Sequence, residues 1–203
     1  MGLQTKPGYD PDEKAKALSE FLSQHSSWQL FSSGTDEGTI EEKKWKVISS
    51  RYAEGQRTDR PIFHYVDKVL GEIATNRPDV IIGHSMGGTI AYCCNLMSRH
   101  HPEHVIMLES PNGGIPTWAV GTIVPRWAPV LDMLQGSSFM KLMGSLEPEG
   151  QTEYHQIGGL WTWLFPKIFT MPGVPQKVFP FIRHSGLRTH PLVLEEILKI
   201  ISS

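Results

Sequence analysis

Cysteine is nearly absent from this chain of 203 residues, and the two it has, Cys93 and Cys94, are neighbours in one apolar stretch. Adjacent residues cannot supply the long-range staple that disulfide-built secreted domains use, so the pair reads as buried thiols. Long apolar runs are missing too. Nowhere do about 18 apolar residues follow one another, the length a membrane-spanning helix needs. The opening MGLQTKPGYDPDEKAKAL lacks the apolar centre of a signal peptide, and Lys6 stands where a myristoylation signal requires Ser or Thr. The expected location is therefore cytoplasmic, with peripheral membrane contact left open. Charge of one sign is also lacking: 19 Lys and Arg face 21 Asp and Glu, for a net charge of −2. That balance offers no electrostatic footprint for nucleic acid and excludes that class of partner. There are no internal repeats and no low-complexity segments, and nothing in the pattern fixes an oligomeric state.

What is present is an alternation of helix-type and strand-type patterns, which predicts an α/β architecture around a mainly parallel sheet. With 39% hydrophobic residues the chain can bury one sizeable core, and a single domain over 1–203 is expected. Asp10, Pro11 and Glu13 carry the capping signals of a first helix running to about His25. WQLFSS (28–33) and WKVISS (45–50) read as short strands. Ile62, Val66, Val69 and Ile73 share one face of a second helix, from about Asp59 to before Pro78. DVIIG (79–83) and HVIMLE (104–109) have the compact apolar form of strands buried on both faces, with a helix from Met86 to about Arg99 between them. EYHQIG (153–158) and KVFPFI (177–182) are the expected last strands, followed by a helix from about Pro191. Between them, roughly 115–150 is rich in Pro, Gly, Trp and Met without a strand pattern, a lid-like insertion by position.

The chemistry concentrates at Gly83-His84-Ser85-Met86-Gly87, a match to G-x-S-x-G. That pattern places a serine on a sharp strand-to-helix turn, where glycines are needed because the chain returns so close that a Cβ would clash. The motif is short enough to arise by chance, and a Gly-rich turn that merely packs is the bland reading. Its context is more specific: an apolar strand ends at Ile82 and a helix begins at Met86, as the geometry of such a nucleophile demands.

IIGHSMGGTIA resembles the nucleophile turn of bacterial-type lipases and serine esterases of the α/β-hydrolase superfamily. VIMLESPNGG (105–114), LDMLQGSSFMKLM (131–143) and RHSGLRTHPLVLEEIL (183–198) resemble later segments of those enzymes in the same order, so the likeness spans roughly residues 60–200. It implies an α/β-hydrolase fold, here apparently without its N-terminal strands. It also implies an acyl-enzyme on Ser85 and no cofactor. A serine hydroxyl needs a base within hydrogen-bond reach. Of nine histidines, His184 fits best, lying after the last expected strand in the order serine, acid, histidine. His190 reads as a helix cap and His84 as a wall of the pocket. His100, His101 and His104 read as surface residues of a turn, with no pattern completing a metal site. The backbone N–H of Met86 is the expected oxyanion donor. A second donor is normally announced by an apolar run ending in His-Gly, which is missing before the first helix, so it would come from Gly2 to Gly8 or be incomplete.

The acid that orients His184 is where the sequence departs from its likeness. Similar lipases place an Asp in a pattern like G-x-x-D-x-x-V-P, and GGLWTWLFP (158–166) has Thr162 there. Glu109, at the end of the strand after the nucleophile helix, is the alternative, with Asp132 a third candidate that also suits a helix cap. The insertion's Trp118, Trp127, Met133, Phe139, Met140 and Met143, with Trp161, Trp163 and Phe165 nearby, either line an apolar acyl cleft or form plain core. The expected function is hydrolysis of a small-molecule acyl ester or lipid, with lipase, thioesterase and acyltransferase not separable. The competing function is an impaired hydrolase-like domain that binds an apolar ligand or a protein.

Overall fold

The computed structural model describes residues 60–120, 128–147 and 150–203. The expected first helix and the strands at 28–33 and 45–50 lie outside the described residues, as do Gly2 to Gly8 and Trp127.

Four strands, β1 (Val80–His84), β2 (His104–Leu108), β3 (Glu153–Gly158) and β4 (Gln176–Val178), form one sheet in the order β1-β2-β3-β4. Every neighbouring pair is parallel. Parallel neighbours need a crossover. Helix α2 (Met86–Met97) supplies the one from β1 to β2. Helix α1 (Ile62–Asn76) packs beside α2 and shares with it a cluster of Tyr65, Val66, Ile90, Cys93 and Cys94. On the opposite face, α7 (Pro191–Ile201) lays Val193, Leu194, Ile197 and Ile201 against Ile106, Leu108 and Ile157. Side chains alternate along a strand, so β2 sends Ile106 and Leu108 to α7 while Val105 and Met107 join Ala91 of α2. All five residues of β2 are buried, the reason its sequence is almost uniformly apolar.

Local signals explain the ends of the helices. Arg77 adopts φ 45° and its N–H returns to Ile73 O, closing α1 just before Pro78. His190 accepts the Leu192 N–H at 3.3 Å and Pro191 fills the first position of α7. Cys93 and Cys94 are free, fully buried thiols. Burial pushes the Cys93 thiol up to about 12, and Cys94 higher still.

One expectation is corrected here. The strand expected at 177–182 is only Gln176–Val178, extended by one further bond from Phe179 N–H to Gly158 O at 2.9 Å. Pro180 has no N–H to donate and ends the ladder. The described part of the 115–150 segment contains two short helices, α3 (Ala128–Asp132) and α4 (Ser138–Ser145). It also pairs Ile115 with Leu134. Met133, Phe139 and Met143 are core, whereas Trp118 is 57% exposed.

Asp132 connects that segment to α1. Its Oδ2 accepts the Ile62 N–H at 2.7 Å, satisfying a helix start for which Pro61 offers no side-chain cap. Asp132→Ala should therefore lower stability by about 1 kcal/mol, read as a shift in the urea midpoint at unchanged slope. An unshifted midpoint would show that this bond does not hold the helix start.

Candidate active site

A parallel sheet collects the loops that follow its strands along one edge. Here Ser85 follows β1, Glu109 follows β2, Gly159 follows β3, and His184 opens a 3₁₀ turn (His184–Arg188) after β4. The four positions are thus brought to the same edge by topology alone.

Ser85 sits between β1 and α2 with φ 57° and ψ −127°, a conformation that L-residues rarely adopt and that costs on the order of 1–3 kcal/mol. The turn is locked by Ser85 N–H to Leu108 O at 2.8 Å and Gly88 N–H to Ser85 O at 3.0 Å. The surrounding glycines are required by space. A Cβ on Gly83 would lie 2.4 Å from Gly87 O, and one on Gly88 would lie 1.8 Å from Ser110 Oγ. Met86 is the first residue of α2, where a backbone N–H has no intrahelical acceptor and the helix dipole is positive.

Glu109 is the second strained residue, with φ 43°, and its side chain is wholly buried. A buried carboxylate must be hydrogen-bonded. Its Oε1 accepts the N–H of Gly159 at 3.0 Å, the N–H of Thr162 at 2.8 Å and the Thr162 hydroxyl at 3.3 Å. Its Oε2 takes His184 Nδ1 at 2.7 Å. Burial is the largest single influence on this carboxyl and pushes its pKa up. The hydrogen bond from His184, the Thr162 N–H, the charge of His184 and the Gly159 N–H together outweigh burial and leave it below the ordinary value.

Of the two candidate acids, Glu109 and Asp132, the structure brings Glu109 to His184. Thr162 is buried and serves Glu109 as a donor, and Asp132 is occupied at the start of α1. With Nδ1 engaged, Nε2 is the ring nitrogen His184 has left, and 32% of the side chain is exposed.

Three groups in this arrangement escape a reading of the sequence. His84 Nε2 donates to the backbone carbonyl of His184 at 2.8 Å, and the two rings lie 4.4 Å apart. The residue before Ser85 thus positions the loop that carries His184. The N–H groups of Gly159 and Thr162, at the start of helix α5 (Leu160–Leu164), hold Glu109. The paired glycines at 158 and 159 were the only trace of that turn.

A separate cluster corrects the reading of His104. It is not a turn residue but the first residue of β2, 9% exposed, with Glu153 and His155 of β3 beside it. Burial and the neighbouring His104 lower the pKa of His155, opposed by Glu153 and Glu196. Two imidazoles and a carboxylate are a donor set able to hold a cation.

No family model matches the chain, and no curated protein sequence does. Among solved structures, lipase BlEst2 of Bacillus licheniformis in its mature form superposes with a TM-score of 0.56. The match covers 72% of this chain and 76% of that one at 14% identity. A lipase-esterase related protein of Clostridium acetobutylicum matches over 92% of this chain and 88% of its own, at 14% identity and a TM-score of 0.48. The parallel sheet flanked by helices and the BlEst2 likeness together define an α/β-hydrolase fold. Among the described residues, no helix is long and apolar enough to cross a membrane.

Because the folded-state pKa of Glu109 is lowered, its ionisation stabilises the fold fully above the ordinary value of 4.5. That contribution is lost as pH falls through the lower, folded value. The stability difference between the natural chain and Glu109→Gln should accordingly be large above pH about 4.5 and shrink below it. Thermal melts of both proteins across that range measure it, and a pH-independent difference would contradict the assigned ionisation.

Proposed function

We propose that this protein is a serine hydrolase of carboxylic (acyl) esters, lipase- or esterase-like, with Ser85, His184 and Glu109 as its catalytic triad. The observation that carries this reading is the 2.7 Å pairing of His184 Nδ1 with a buried, otherwise satisfied carboxylate, at the edge where Ser85 heads α2. In this reading Gly83 to Gly87 form a nucleophile elbow, and the φ of Ser85 supports it.

Ser85 Oγ attacks the ester carbonyl as His184 Nε2 removes its proton. The imidazolium that forms is stabilised by Glu109, whose carboxylate is kept ionised by the hydrogen bond from His184 together with the backbone donors at 162 and 159. The oxyanion receives the Met86 N–H at the positive end of α2. His184 then gives its proton to the departing alkoxide, and water admitted to the same base hydrolyses the acyl-enzyme. Trp163, Leu164 and Phe181 are exposed by 62%, 46% and 97% on the segments that carry Thr162 and His184. Apolar side chains there favour an acyl chain over a charged substrate.

A fluorophosphonate probe should label the natural chain and not Ser85→Ala, which should retain its fold. Hydrolysis of short nitrophenyl esters should fall almost equally in Ser85→Ala, His184→Ala and the double variant, since triad members act as a unit. Glu109→Gln should lower kcat by about 10⁴-fold, as neutralising a triad acid does. Absence of label on folded protein would instead favour a non-catalytic domain that binds an apolar ligand.

A further inference from the structure

We propose that His104, Glu153 and His155 form a binding site for one divalent transition-metal cation of the zinc class, which clamps the N-terminal ends of β2 and β3. The site is independent of the hydrolase reading. It lies at the opposite end of β2 from Glu109, roughly 16 Å away for five residues at ~3.3 Å per strand residue.

The sheet builds it. In the β2–β3 register His104 pairs with Glu153 and Ile106 with His155. Side chains two apart share a face, so His104, Glu153 and His155 all lie on the face of Ile106 and Ile157, the one covered by α7. One donor atom from each of the three falls within 4.8 Å of the others. Glu153 Oε2 is 3.7 Å from His104 Nδ1 and 3.5 Å from His155 Nε2. Ligands on a tetrahedral zinc with bonds of 2.0–2.1 Å stand about 3.3 Å apart, so the two contacts to Glu153 are within a few tenths of an ångström of closure, with the imidazole nitrogens within 4.8 Å of each other.

The second, independent observation is polar and unsatisfied. His104 Nδ1 and His155 Nε2 are both buried without a hydrogen-bond partner. Each such atom costs on the order of 1–3 kcal/mol, and two of them aimed at one carboxylate oxygen is an arrangement that a single cation relieves at once. Two imidazoles and one carboxylate suit zinc and its neighbours, not calcium or magnesium, which take oxygen. Glu153, 64% exposed, gives the ion a route in, and a fourth position remains for water.

Chelator-treated full-length protein titrated with Zn²⁺ by calorimetry should bind one equivalent. Co²⁺ should give the intense visible absorption of a tetrahedral site, and excess Ca²⁺ should not compete. Affinity should fall by at least about tenfold in His155→Gln and in Glu153→Gln, while His184→Gln and Ser85→Ala bind as the natural chain does. Glu153→Gln changes an exposed side chain at constant size, so circular dichroism will show it folded and its loss of binding cannot be ascribed to unfolding. Absence of saturable binding overturns the proposal. So does binding that survives both β3 variants, or binding that is lost instead in His184→Gln.

Discussion

The site hangs on one buried charge. Glu109 is enclosed at the end of β2, and an isolated carboxylate there would be too costly to keep ionised. It persists because two backbone N–H groups from the turn after β3 and the imidazole after β4 converge on it. One side chain therefore ties together the ends of three strands, and each tie constrains a different loop. The left-handed φ of Glu109 belongs to the same arrangement, since it turns the chain so that the carboxylate faces His184 and not solvent.

Ser85 is held by the same strand from the other side. Its N–H binds Leu108 O, the residue immediately before Glu109, so the two strained residues are registered to each other through one peptide. His84 completes the loop of constraints by gripping the backbone of His184. A substitution that shifts β2 would thus displace serine, carboxylate and imidazole together, whereas one on α7 would reach them through the apolar contacts of Ile106, Leu108 and Leu187, the last in the turn that carries His184.

Much of this was legible in the sequence because it is written in short-range signals. The apolar run at 104–108 requires burial on both faces, and Gly83 with Gly88 requires the close return after the strand, so β1, α2 and β2 could be placed from pattern alone. What stayed hidden depends on register between strands far apart in sequence. Spacing could not show which of Glu109, Asp132 and Thr162 meets His184, because that contact depends on how the ends of β2 and β4 are brought together. Nor could it show that Thr162, in the place expected of an acid, donates to one. His104 was misjudged for the same reason: its partners are about fifty residues away and meet it only through the β2–β3 ladder. The strand expected at 177–182 ends at Val178 because Pro180 has no N–H to continue the ladder, a stop that the apolar pattern around it hides.

The neighbouring thiols of α2 give the fold a built-in clock. Cys94 Sγ points at Val66 O across the α1–α2 contact, and burial raises its pKa far above that of a free thiol, leaving almost no thiolate near neutrality. An alkylating reagent can reach Cys94 only in molecules where the packing between α1 and α2 has opened. Its modification rate, divided by that of an exposed thiol, is then the fraction of time this helix pair spends open. No foreign label is needed to read it.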